Sequence, residues 1–144
     1  MKIREMTLDD LPQVMQIENS SFSVPWTENG FFSFLIREDA LFLVAEEEGV
    51  IYGYCGLILI PPEGEITNVA VSGEARGRGI GRMLITEQQK QAAARGIRKI
   101  YLEVRETNAA AIALYSHHGY EMFGRRKNYY SEPKEDALVM CWEV

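Results

Sequence analysis

Cysteine, histidine and proline are scarce in this chain, and a long apolar run is missing altogether. Its 144 residues include only two cysteines, two histidines and five prolines. Cys55 and Cys141 lie far apart in apolar, strand-like runs and form no CxxC pair. They therefore read as reduced core residues rather than as a disulfide or a catalytic thiol. His117 and His118 are adjacent, with no HExxH spacing, so no metal site is expected. A GxSxG elbow is also lacking, which removes the serine-hydrolase reading. No apolar stretch approaches the ~18 residues of a membrane span, and the opening "MKIREMTLDD" lacks the apolar core of a secretory signal, so a cytoplasmic location away from membranes is expected. Basic charge is in deficit: Lys and Arg total 15 against 21 Asp and Glu, a formal net charge of -6. That balance argues against nucleic acid, whose phosphates need a basic surface, and weakly favours a basic partner.

What is present is enough for one domain with a real core. Apolar residues make up 47%, and a globule of this length buries roughly 68–70% of the surface that its unfolded chain exposes. No repeat, linker or low-complexity tract divides residues 1–144.

"KIREM" alternates as a first strand, and Thr7 and Asp10 have capping-box spacing before the apolar stripe Leu11, Val14, Met15, Ile17 of a first helix. Pro25 breaks that helix by forcing Val24 out of helical geometry, and a second short helix starts near Thr27. Residues 40–73 then change period. They read as three strands joined by turns at Glu47–Gly49 and Pro61–Gly64, an antiparallel meander. A helix ending at Gly96 follows, then the strand "IRKIYLEV", a helix from Asn108 to Gly119, and two closing strands. The order β-α-α-β-β-β-α-β-α-β-β predicts an α/β fold of the α+β mixed-sheet kind, with helices on the sheet's faces.

Gly77, Gly79 and Gly81 stand at every second position of "EARGRGIGRMLI", between a strand and a helix. Free N–H groups at the positive end of a helix dipole make an anion site, and glycines let a phosphate come close, although an ordinary turn before a helix accounts for the same residues. A P-loop would need Lys and then Ser or Thr after the last glycine, where Arg82 and Met83 stand. The dinucleotide fingerprint fails from Gly77, which puts Arg82 last, and from Gly79, which puts Leu84 last.

What remains, Arg76-x-x-Gly79-x-Gly81 after "NVAV", resembles the acyl-CoA pyrophosphate motif of the GNAT N-acetyltransferases. The later pattern Asn108, Ala111, Leu114, Tyr115, Gly119, Tyr120 is similar to the segment that follows it in that family. Asn108 and Tyr115 are two helical turns apart and share a face. The resemblance implies a GNAT acyl-CoA N-acyltransferase fold with acetyl-CoA as co-substrate. It implies that the amides of Arg76, Gly77, Arg78, Gly79, Ile80, Gly81 and Arg82 wrap the pyrophosphate. It further implies that Asn108 and the strand Val69, Ala70, Val71 bind the pantetheine arm, with an oxyanion donor on that strand.

Acyl transfer to an amine needs a base for the amine, a donor for the oxyanion and a proton for the leaving thiolate. Glu103, in "YLEVR", is expected to take the amine proton, and Tyr115 to protonate the thiolate. On spacing alone Glu103 is equally open to pairing with Arg105 or Lys99 at a strand edge, and Tyr115 to a core position.

"IENSSFSVPW", "LEVR.TN.AAIALY", "RRKNYY" and "EDALVM" extend the resemblance over residues 3–142, to the RimI-type enzymes, the ribosomal-protein-bS18 alanine N-acetyltransferases. That group implies a groove for the N-terminus of ribosomal protein bS18. Phe22, Pro25 and Trp26 would form one wall, and Tyr129, Tyr130, Glu135 and Asp136 the other, the acidic pair suiting a basic peptide. A monomer is expected. Another protein N-terminus, a lysine or a small amine as acceptor, or a non-catalytic acetyl-CoA-binding module, are the rival readings.

Overall fold

A computed structural model describes all 144 residues. The chain runs β1 (Lys2–Glu5), α1 (Leu11–Ser21), α2 (Glu28–Leu35), β2 (Ala40–Glu47), β3 (Val50–Ile60), β4 (Glu63–Val71), α3 (Ile80–Ala94), β5 (Lys99–Arg105), α4 (Ala109–His117), β6 (Glu121–Tyr130) and β7 (Glu135–Glu143). The element order matches the expected one throughout. Boundaries shift by one to a few residues: β4 starts at Glu63, inside the expected turn, and β5 at Lys99. Leu8–Asp10 forms its own 3-10 turn, so α1 starts at Leu11 with Pro12 in its first turn, where a missing N–H costs nothing. Asp10 still accepts from the Thr7 N–H at 2.7 Å.

Seven strands form one sheet in the order β1-β2-β3-β4-β5-β7-β6. Every pairing is antiparallel except β4 with β5. Alternation along β2 shows how the sheet divides two cores. Leu41, Leu43 and Ala45 pack with Leu84, Ile85 and Tyr115 of α3 and α4, while Phe42 and Val44 pack with Val14, Ile17 and Phe31 of α1 and α2. Cys55 is buried and Cys141 half-buried, both as free thiols, and burial pushes the Cys55 thiol up to about 12.

Helix ends follow the residues that dictate them. Thr27 caps α2 by accepting from the Gly30 N–H at 3.1 Å, and Asn108 caps α4 by accepting from the Ala111 N–H at 3.1 Å. Gly96 and Gly119, at φ 84° and 86°, carry the chain out of α3 and α4.

Candidate active site

The site begins where the only parallel pair comes apart. β4 and β5 are in register for three residues only, Glu63–Glu65 with Lys99–Tyr101. Opposite β3, the register shifts so that Gly56 faces Asn68 and Leu57 faces Ile66, leaving Thr67 as a bulge. Gly56 permits it: a Cβ there would meet the Thr67 hydroxyl oxygen at 2.4 Å and the Phe42 ring at 2.6 Å. Beyond the bulge β4 has no partner on its β5 side. Ser72 donates its N–H to the Tyr52 carbonyl at 2.8 Å. Antiparallel alternation then turns the N–H groups of Val71 and Val69 toward the opening.

A cavity of about 520 Å³ occupies this wedge. Glu103, Tyr115, Asn108 and Val69 line it, together with Phe22, Trp26, Tyr129 and Tyr130. Ala70 and Val71 pack instead into the two cores. Leu102 and Val104 of β5 belong to the core under α3, so Glu103 points to the other face. There it lies 3.7 Å from the Arg126 guanidinium, and the proximity of its carboxylate is the main cause that raises the Tyr129 pKa. Neither Arg105 nor Lys99 pairs with it: Arg105 goes to Glu135 at 3.2 Å and Lys99 to Glu143 at 3.5 Å. Tyr115 comes from the α3–α4 core, edge-on to Tyr120 at 5.6 Å. Burial raises its pKa well above the ordinary tyrosine value, and no hydrogen bond contributes to that rise. Burial likewise pushes Tyr130 up to about 12.

The acidic pair proves to be engaged within the chain. Glu135 accepts from the Thr107 hydroxyl at 2.6 Å, the Thr107 N–H at 2.8 Å and Arg105 at 3.2 Å, and Asp136 from the Asn128 N–H at 2.9 Å and Arg125 at 3.0 Å. These contacts hold both carboxyls below their usual range, the Thr107 hydroxyl contributing most for Glu135 and the Asn128 N–H for Asp136. Neither they nor Pro25 line the cavity. The acidic residues expected to face a basic peptide instead brace the turn that carries Tyr129 and Tyr130.

The Acetyltransferase (GNAT) family model matches residues 11–120. This chain belongs to the GNAT acetyltransferase family. A Bacillus subtilis (strain 168) relative is 39% identical over 96% of this chain and 92% of its own length. The [Ribosomal protein bS18]-alanine N-acetyltransferase of Salmonella typhimurium (strain LT2) is 36% identical over 96% of this chain and 95% of its own. The crystal structure of the ribosomal-protein-S18-alanine N-acetyltransferase from Escherichia coli superposes with a TM-score of 0.91 at 31% identity, over 99% of this chain and 93% of that one.

As a GNAT enzyme the chain should offer acetyl-CoA an anion cradle, and the start of α3 fits one. Gly77 and Gly79 have φ of 81° and 78°, and a Cβ on either would meet nothing within 4 Å. Gly79 is the N-cap without a side-chain cap, and the first helical bond is Met83 N–H to Gly79 O at 3.1 Å. The N–H groups of Ile80, Gly81 and Arg82 thus have no helical acceptor and open at the positive helix end. Arg76 and Arg82 are exposed there. Arg78 turns away to Glu47 at 3.1 Å and lies over Tyr52. Gly81 faces the α4 side chain Leu114, so its smallness lets the two helices approach.

The sequence reading missed a buried polar group at the cavity floor. Glu18 is 2% exposed and Asn68 8% exposed, and both line the cavity beside Thr67. One sign of it was available: Glu18 is seven residues after Leu11, on the apolar stripe of α1, where a charged residue is out of place. His118 acquires a structural place. Its ring nitrogens meet the Leu114 carbonyl at 2.9 Å and the Thr86 hydroxyl at 3.3 Å, joining α4 to α3.

Proposed function

We propose that this GNAT enzyme acetylates the α-amine of an N-terminal alanine, that of ribosomal protein bS18, and that it does so in the cytoplasm as a monomer. The observation carrying this reading is the entry of Glu103 and Tyr115 into one cavity from opposite faces of the sheet. The near full-length similarity to enzymes named for that acceptor supports the choice of substrate.

Bound acetyl-CoA supplies a thioester. An α-amine with a pKa of roughly 7.7–8.0 arrives mostly protonated near neutral pH and must lose a proton before it attacks. Glu103 takes that proton, directly or through a water, from the side on which Trp26 and Tyr129 receive the acceptor. As the amine nitrogen bonds to the carbonyl carbon, the N–H of Val69 or Val71 donates to the oxyanion. The C–S bond then breaks, and the Tyr115 hydroxyl gives its proton to the departing thiolate on the α3–α4 side. Asn108, whose Oδ1 is engaged in capping α4, turns its Nδ2 to the same cavity as a donor for the pantetheine amides. Because base and acid stand on opposite faces, the two proton transfers do not compete for one group.

A thiol-release assay tests the reading. It uses acetyl-CoA with a synthetic peptide copying the bS18 N-terminus of the same organism, beside lysine-containing, N-terminally blocked and polyamine controls. The expected result is release on the free peptide alone, with mass spectrometry locating the acetyl group on the α-amine. Release only on lysine or polyamine would replace the acceptor, and no release with acetyl-CoA still bound would leave a non-catalytic module.

A further inference from the structure

Glu18 is a buried carboxylate with no lysine or arginine against it, held by three neutral donors from three separate elements. Its Oε2 accepts from the Trp26 N–H at 2.9 Å, on the loop between α1 and α2. Its Oε1 accepts from the Tyr54 hydroxyl of β3 and from Asn68 Nδ2 of β4 at 3.2 Å. The Asn68 amide is itself oriented, because Thr67 donates its hydroxyl to Asn68 Oδ1 at 2.8 Å. Tyr54 is fully buried, and desolvation with the Glu18 bond raises its pKa, so it remains a donor. Burying an unpaired carboxylate is costly, and the cost is met here only by satisfied hydrogen bonds.

The placement of those bonds gives the cost a reason. One oxygen fixes the loop that brings Phe22 and Trp26 to the cavity, and the other fixes the bulge from which β4 parts from β5. Asn68 directly precedes Val69, whose N–H opens on the wedge. We infer that Glu18 is a positioning residue for the acceptor. It sets the separation between the Phe22–Trp26 wall and the β4 bulge, and so places the incoming peptide N-terminus relative to Glu103 and the Val69 N–H. The inference rests on the reading of this cavity as the acceptor site.

Glu18→Gln keeps the shape of the side chain but turns an NH2 group toward donors, which breaks at least one tie. The KM for the peptide is expected to rise at least tenfold, with kcat within threefold and acetyl-CoA affinity by calorimetry unchanged. Tyr54→Phe, which leaves the Trp26 tie, is expected to raise KM less, and the double variant to fall short of the product of the two effects. A lowered Tm with peptide KM moved less than twofold overturns the proposal. So does a fall in kcat at fixed KM, which would place Glu18 in the chemical step. Should Glu18→Gln not fold, Tyr54→Phe and Asn68→Ala carry the test, and unmoved KM in both overturns it. Tyr129→Ala separates the two levels. If it raises peptide KM while Glu18→Gln does not, only the positioning role falls. If Tyr129→Ala leaves KM unmoved, the acceptor reading fails and takes this inference with it.

Discussion

Glu103 and Tyr115 reach the same cavity from opposite faces of one sheet, through the gap that opens where β4 and β5 stop pairing after Glu65 and Tyr101. The proposed base and the proposed acid, so separated, keep distinct surroundings. Glu103 lies 3.7 Å from Arg126 and shares the cavity wall with Tyr129, whereas Tyr115 packs in the apolar core.

Tyr115→Phe is expected to lower kcat by roughly 10²-fold while leaving acetyl-CoA affinity unchanged, the usual scale for losing a general acid. Burial raises the Tyr115 pKa, so the acid form persists above the ordinary tyrosine value of about 10. The kcat profile should therefore show no fall attributable to this group up to about pH 9.5. Steady-state kinetics across pH, with calorimetry for binding, checks both points.

Glu103→Gln is expected to cost roughly 10²- to 10⁴-fold in kcat on the peptide. Stopped-flow thiol release at saturating substrates measures it. Full retention of rate would remove Glu103 from the proton path.

Gly79→Ala should act twice. At φ 78° an added Cβ costs about 1–2 kcal/mol of stability, and it would project into the cradle in front of α3, weakening acetyl-CoA binding by about tenfold or more. Gly49→Ala is the control. It has φ 81° and equal room, but lies in the β2–β3 turn, so it should cost similar stability and leave acetyl-CoA affinity alone.

Asp10 makes two 2.8 Å contacts with the Arg4 guanidinium, the chief cause of its lowered pKa. A carboxyl whose folded pKa lies below its unfolded value of about 3.9 adds stability above that value and loses it as pH falls through the folded pKa. Asp10→Asn should thus destabilise the protein at pH 7 by about 1–3 kcal/mol. The difference from the parent should shrink below about pH 5. Urea unfolding at pH 7, 5 and 3.5 reads the trend.

Gln88 of α3 is wholly buried with neither amide atom hydrogen-bonded. Gln88→Met, similar in shape and free of that desolvation cost, should stabilise by about 1–2 kcal/mol in urea. A loss of stability would show that the amide has a partner in solution.

Much of this was legible along the chain, because helix caps, strand alternation and glycine geometry are local consequences of neighbouring residues. Thr27, Asn108, Gly96 and Gly119 end or begin helices where their chemistry requires. The Arg76–Arg82 loop could be named as a candidate anion site from its glycines together with the family motif they belong to. Glu103 and Tyr115 could be named from motif, but not their approach from opposite sides, which depends on two strands separating after three paired residues. Glu135 and Asp136 looked free because the sequence does not show that Thr107, Arg105, Arg125 and the Asn128 N–H lie beside them. The place of Glu18 on the apolar stripe of α1 marks it as unusual, but its role is not legible there, since its partners are 8, 36 and 50 residues away. Periodicity and spacing thus determined which elements form. Which carboxylates are free, buried or paired was decided only when the sheet brought distant segments together, because a hydrogen bond needs donor and acceptor within about 3.2 Å and the Thr107 and Arg105 partners of Glu135 are 28 and 30 residues from it along the chain.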